Sequence, residues 1–547
     1  PLANTDDGFC CGAGFPIPFG TQIGQDIDGE AAGDESGYSV SMSDDGNRVA
    51  IGARYNGTHA GHVRVYENVN SNWVQIGQDI DGEAANDNSG YSVSLSSDGN
   101  TVAIGAWGND ANGSNSGHVR VYNYNGVSWI KLGNDIDGEA GNDESGTSVS
   151  LSSDGSTVAI GASYNGSYSG HVRVYNWNGS SWDQLGQDID GEAVSDQSGR
   201  SISLSDDGSI VAIGARFNDG NGTNSGHVRI YEFNGTSWNQ LGVDIDGEAV
   251  EDNSGWFVSL SSDGNTIAIG AQHANGASNS GHVRIYKFNG TSWNQLGTDI
   301  DGESGADYLG GSVSLSSNGN TVAIGAHGND GSGFNAGHVR IYNWNGASWA
   351  QLGYDIDGEA EEDENGWSVS LSSDGNTVAI GAKFNDGNGA NSGRVRVFSV
   401  GGTYTSPPCS GCMDSLALDY DPYSLIDDSS CTYPVYGCTD SLAFNYNLLA
   451  TIEDSSCISI LLACTDPLAC NYDSLSNIDD GSCIYPTSST TNITACDSVV
   501  WNGTTYGQSG AYSSNVGSNN NYSMSFDGVD DYVDVGVDIA NTDFTLM

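Results

Sequence analysis

The stretch Ser225–Gly226–His227–Val228–Arg229–Ile230–Tyr231 alternates polar and β-branched apolar residues, the period of a strand packed on one or both faces. It is one of seven near-copies, at Gly61–Tyr66, Gly117–Tyr122, Gly170–Tyr175, Gly226–Tyr231, Gly281–Tyr286, Gly337–Tyr342 and Gly393–Phe398. A second motif, Asp-Ile-Asp-Gly-Glu, recurs with its Ile at 27, 80, 136, 189, 245, 300 and 356, a period of 53 to 56 residues. Within one period, such as 185–241, four strand signals follow one another: Ser201–Ser205, Ile210–Ala215, His227–Glu232 and Trp238–Leu241. Asp206–Asp207–Gly208 and Asn234–Gly235 between them are hairpin turns. Four antiparallel strands repeated seven times predict an all-β fold, a seven-bladed β-propeller over residues 15–402. The last unit stops at Val395–Phe398 without the Trp-x-Gln-Leu-Gly strand of the others, and a matching strand stands at the front, Phe19–Gly24. The expectation is a ring whose N-terminal strand completes the seventh blade and leaves no open sheet edge.

The halves Gly90–Tyr91–Ser92–Val93 and Ala103–Ile104–Gly105–Ala106, present in every unit, resemble the FG-GAP repeats of integrin α-chain propellers and of many secreted bacterial proteins. In several integrin blades an Asp-rich calcium loop separates these halves. Here the space is a short turn, Ser96–Asn100, so that calcium site is not carried over.

The 547 residues carry a formal net charge of −55 although only 16% are charged. Such acidity repels phosphate backbones and anionic bilayers, which argues against nucleic acid or membrane surfaces as partners, and it favours divalent cations. No apolar run has spanning length, Ile458–Cys464 being the longest, and no export signal opens at Pro1.

Beyond the repeats, residues 403–487 hold three Asp-rich units, opened and closed by cysteines 19 positions apart. Regular cysteines in a small Asp-, Gly- and Ser-rich segment read as disulfides in an oxidising, extracellular setting. Zinc is the weaker alternative, since the segment has no His and a single Cys-x-x-Cys, at Cys409 and Cys412. The array resembles a cysteine repeat of secreted, surface-attached proteins of bacteria that use type IX secretion. That resemblance implies the pairs Cys412–Cys431, Cys438–Cys457 and Cys464–Cys483 and a disulfide-rich stalk. The pairing of Cys10, Cys11, Cys409, Cys470 and Cys496 stays open. Residues 1–14 resemble the tail of one more unit, 488–520 a short β module of such proteins, and 521–547 the first strands of a laminin-G or concanavalin-like jelly roll. Incomplete modules at both ends suggest a piece of a longer polypeptide, or self-association in which neighbouring copies complete each other.

Four constellations bear on function. First, each Asp-Ile-Asp-Gly-Glu motif either binds calcium or supplies carboxylates to the seven repeated arginines, Arg64, Arg120, Arg173, Arg229, Arg284, Arg340 and Arg396. Equal numbers of motifs and arginines favour structural ion pairs. Second, His62, His118, His171, His227, His282 and His338 recur two residues before that Arg and read as hydrogen-bonded packing residues. Third, the repeat varies at Tyr38, Tyr91, Arg200, Trp256 and Trp367 and at Arg54, Trp107, Arg216, His273, His327 and Lys383. Aromatics and isolated cations at such positions could stack on and hydrogen-bond a glycan or acidic polymer, the bland alternative being drift at tolerant loop edges. Fourth, closely spaced oxygens in the cysteine units suit calcium: Asp414, Asp419, Asp421 and Asp428; Asp440, Asn445, Asn447 and Asp454; Asp466, Asn471, Asp473 and Asp480. No nucleophile–base pair, phosphate loop or zinc-protease motif occurs, so an enzyme is not expected. Three readings follow: a structural, self-assembling extracellular component, which the sequence favours; an adhesin for a glycan or surface protein; and, least supported, a polysaccharide-active enzyme.

Overall fold

The computed structural model describes residues 18–274, 278–401 and 435–485, with short strand segments between 410 and 427 and between 491 and 525. The chain divides into two compact units, Pro1–Thr403 and Tyr404–Met547.

Unit one contains seven antiparallel sheets of four main strands each, connected as simple meanders. In the fourth blade the strands are Ser198–Leu204, Ile210–Ala215, His227–Phe233 and Trp238–Gln240. The first strand begins three residues earlier than its alternation predicts. The early part is a bulge between Ser198 and Ser201, and its Ser-Gly pair reads as a turn in sequence. The tight turn is held by Asp207, whose Oδ1 accepts from Ser205 Oγ (2.7 Å) and from the Ser209 amide (2.9 Å). The Ile of the Asp-Ile-Asp-Gly-Glu motif then returns to the third strand, Ile245 opposite Val228.

Both faces of the second strand are buried, as its run of small and β-branched residues requires. Val211 and Ile213 pack with Val172, Val174 and Ile189 of the third blade, while Ala212 packs with Ile267 and Ile269 of the fifth. Seven such hydrophobic clusters occur, each uniting residues of two adjacent blades. One of them joins the last blade (Val395, Val397) to the first (Val49, Ile51), so the ring is closed. The latch is N-terminal: Ile27 lies opposite Val395, Gln22 bridges Phe398, and the Ile23 amide donates to the Val397 carbonyl (2.7 Å). The outer-strand tryptophans tie blade to blade; Trp238 Nε1 donates to the Leu185 carbonyl (2.8 Å) and Trp73 Nε1 to that of Ile23 (2.7 Å).

In unit two, disulfides join Cys438 to Cys457 and Cys464 to Cys483. Each unit also has a short parallel ladder, Tyr436–Gly437 with Ile452–Glu453 and Leu462–Ala463 with Ile478–Asp479. The pair Cys412–Cys431 and the positions Cys10, Cys11, Cys409 and Cys496 lie outside the described residues, while Cys470 is exposed. Further on, Asn520–Ser525 pairs antiparallel with Ala511–Val516, so this sheet crosses the 520/521 boundary. No helix among the described residues is long and apolar enough to cross a membrane.

Candidate functional site

The first strands of all seven blades surround a central cavity of about 210 Å³. Its wall carries Tyr38, Tyr91, Thr147, Arg200, Trp256, Gly311 and Trp367, the residue at one repeat position in each blade, together with Gln272 and His327. Local backbone puts that position on the axis. In the first blade Glu35 adopts a left-handed conformation (φ 55°), Gly37 follows at φ 84°, and the strand bulges between Ser36 and Ser39. A Cβ on Gly37 would lie 2.6 Å from the Arg394 carbonyl oxygen, so glycine is required there on two counts.

Around the wall lie the other varying residues, partly or fully buried, and they contact its rings. Arg54 stacks on Tyr38 (3.8 Å to the ring centre), Arg216 on Trp256 (4.2 Å) and Lys383 on Trp367 (2.9 Å). Trp107 meets Tyr91 edge-on (6.1 Å), His273 meets Trp256 (5.4 Å), and His327 packs against Trp367 (4.9 Å). The eleven varying residues therefore form one assembly on the axis and not a set of scattered loop edges.

Charge in this assembly is unevenly compensated. Arg54 pairs with Glu35 (2.8 Å) and Lys383 with Glu364 (3.0 Å), but Arg216 donates only to the neutral amide of Gln197 (2.8 Å). Arg200 sits on the cavity wall near the rings of Tyr91 and Trp256 (5.8 and 5.9 Å), and among the described residues it makes no ion pair. Burial pushes the Glu144 carboxyl up to about 7, only partly offset by Arg200. Burial, with Lys383 and His273 nearby, holds His327 down at about 3, so its ring is neutral. Burial also lowers Lys383 to about 8 against the pull of Glu364. Near neutral pH the cavity is cationic, inside a chain of net charge −55.

Glu35, Gln197 and Glu364, partners of the cations around the cavity, do not stand out in the sequence. A signal was available: each lies 19 residues before its cation, the same offset in three blades.

The repeated arginines lie at the blade junctions. Arg64 Nη1 is 3.7 Å from Glu30, the last residue of the motif, and Nη2 donates to the Asp28 carbonyl (2.8 Å). Arg120, Arg173, Arg229, Arg284, Arg340 and Arg396 repeat that arrangement with Glu83, Glu139, Glu192, Glu248, Glu303 and Glu359. The motif's first Asp is used differently; Asp26 accepts from Gln22 Nε2 (2.6 Å). Asp34, farther along, caps a turn through the Ala31 amide (2.9 Å). The repeated histidines differ from expectation. They are buried, but Nε2 has no hydrogen-bond partner in any of the six.

In the cysteine units the oxygens serve local turns. Asp440, Asn447, Asp466 and Asp473 accept from the amide two residues on, at 2.9 to 3.0 Å. Asp454 and Asp480 do the same for Ser456 and Ser482. Asn445 and Asn471 each bridge to the residue after the closing cysteine; Asn445 Oδ1, for example, accepts from the Ile458 amide (2.8 Å). Asp414, Asp419, Asp421 and Asp428 lie outside the described residues.

The molecule is thus a seven-bladed β-propeller with a cationic, aromatic cavity on its axis. Three of its repeats match the FG-GAP repeat family model, residues 80–122, 189–231 and 356–398, each running from the motif Ile into the third strand of the following blade. A comparison of the chain with curated proteins finds no match.

Proposed function

We propose that the protein is a secreted, non-enzymatic adhesin whose propeller binds an acidic saccharide at the axial cavity. One observation carries this reading: in a chain with 15 Lys and Arg, four of the eight outside the repeated strand position (Arg54, Arg200, Arg216, Lys383) gather around one aromatic-lined cavity. Arg200 and Arg216, without carboxylate partners, favour a carboxylate or sulfate, and Trp256 and Trp367 offer faces to a sugar ring. The cavity is below the roughly 300–1,000 Å³ of drug-sized sites, so it suits one charged sugar unit of a longer chain. Disulfides and FG-GAP repeats support secretion. Self-assembly through the chain ends, the reading the sequence favours, draws on residues 1–14 and 521–547, of which 1–14 and 526–547 lie outside the described residues.

An array of neutral and acidic oligosaccharides, followed by calorimetry on the best binder, tests the proposal. Binding confined to uronate- or sulfate-bearing glycans, weakened at least about tenfold by Arg200→Met, is expected. Absence of acidic-glycan binding, or affinity untouched by Arg200→Met and Trp256→Ala, refutes it.

A further inference from the structure

The buried histidines, whose Nε2 atoms have no hydrogen-bond partner among the described residues, lie beside two carboxylates apiece, at the blade junctions and away from the axial cavity. Glu30–His62–Asp79, Glu83–His118–Asp135, Glu139–His171–Asp188 and Glu192–His227–Asp244 each bring one ring nitrogen and two carboxylate oxygens within 4.8 Å of one another. The same residue types surround His282 (Asp299, Glu248) and His338 (Asp355, Glu303). His227, 1% exposed, is representative: its Nδ1 is 4.0 Å from Glu192 Oε2 and 3.8 Å from Asp244 Oδ2. These are too long for hydrogen bonds. They are close to the edges of a tetrahedron around an ion, about 3.4 Å when metal–ligand bonds are about 2.1 Å.

Each carboxylate has one oxygen held and the other turned to the ring. Glu192 Oε1 faces Arg229 (3.6 Å) while Oε2 faces His227; Asp244 Oδ1 accepts from Gln240 Nε2 (2.5 Å) while Oδ2 faces His227. The first blade has the same division, with Glu30 Oε1 toward Arg64 and Oε2 toward His62. Outer partners that fix the orientation of a ligand are what metal sites use. Nδ1 of the ring therefore faces two anionic oxygens, and a cation seated among the three atoms would neutralise the pair.

The seventh blade supplies that cation covalently. There the histidine position is Arg394, whose Nη1 lies 2.6 Å from Glu359 Oε2 and 2.9 Å from Asp26 Oδ2, the counterparts of Glu192 and Asp244. With the charge in place the neighbouring repeated pair tightens: Arg396–Glu359 is 3.0 Å, against 3.3 to 3.8 Å in the six histidine blades. We propose that the six His–Glu–Asp clusters are sites for a divalent cation of zinc's class, at the place where Arg394 puts its guanidinium in the seventh blade. One nitrogen and two carboxylate oxygens suit zinc better than calcium, which takes six or more oxygens. At the cluster of His118 the Lys131 ammonium already pairs with Asp135 (2.6 Å), so that site is the weakest of the six.

The test uses the full chain with its disulfides intact, stripped with chelator, dialysed against zinc and analysed for bound metal by mass spectrometry. Glu192→Gln, at a half-exposed side chain that leaves the core alone, and His227→Gln should each lower the bound zinc by one equivalent. Arg394→His should raise it by one, and calcium in place of zinc should show neither change. Zinc stoichiometry unaltered by both Glu192→Gln and Arg394→His overturns the proposal. So does a nuclear magnetic resonance titration in which the six imidazoles are protonated near neutral pH and indifferent to zinc, since the proton would then be the bridging charge.

Discussion

At the scale of single residues, the axial assembly is a set of exceptions to a repeat. Its members were legible because they differ from blade to blade while their surroundings do not. Their mutual packing was not legible, because alternation says which face a residue occupies but not that seven such faces converge. Glu144 illustrates the cost of that convergence. In its blade the position 19 residues on is Ser163, so the carboxyl faces no paired cation and is pushed up to about 7 by burial. A carboxyl raised in the folded state opposes folding above that value and ceases to do so as pH falls toward its unfolded value near 4.5. Glu144→Gln should therefore stabilise the protein at pH 8 by on the order of 1–3 kcal/mol and lose that advantage by about pH 4.5, as denaturant midpoints across pH would show. Lys383 works in the opposite sense. Its depressed value near 8 means that its ammonium is lost on mild alkalinisation. Affinity for an acidic ligand should fall between pH 7 and 9, and Lys383→Arg should flatten that dependence in a calorimetric series.

At the scale of elements, the second and third strands followed directly from period-two sequence and Asp-Gly or Asn-Gly turns. The first strand did not, because Ser198–Gly199 enters through a bulge that sequence reading takes for loop. The N-terminal strand was readable from what the last unit lacks. Its removal, by starting the chain after residue 28, should expose the edge of Arg394–Ser399 and deprive Trp73 of its carbonyl acceptor. A drop in melting temperature on the order of 5 °C or more, with aggregation, is expected by calorimetry and light scattering. Among the described residues of unit two the buried apolar side chains are Cys438, Ala443, Cys464 and Ala469. Closing a 19-residue loop restrains the unfolded chain by about 3 kcal/mol, so reduction should unfold this segment while the propeller's near-ultraviolet signal persists. Calcium at the Asp-rich turns is a separate proposal; it predicts that millimolar calcium slows that reduction, and identical rates with chelator would dismiss it.

Taken whole, the molecule combines a net charge of −55 with a closed ring of seven apolar junctions. Charge repulsion of that size is screened by salt, so moderate sodium chloride should raise the melting temperature while weakening capture of an acidic glycan. Opposite salt trends for stability and affinity would separate the global field from the axial cations. Blade number and closure could be read before any coordinates, since duplication leaves its period in the chain. The ligand could not, because a binding site on a propeller is written in the few positions where the copies disagree.

The pairing of Ile27 with Val395 has a temporal meaning for biosynthesis. Ile27 is translated well ahead of its mate Val395, so its docking waits until the seventh blade has been made. Until then the wheel lacks its seventh blade and cannot close. Fidelity of manufacture is thereby checked by geometry: only a chain translated through both termini of the wheel acquires its final resistance to unfolding.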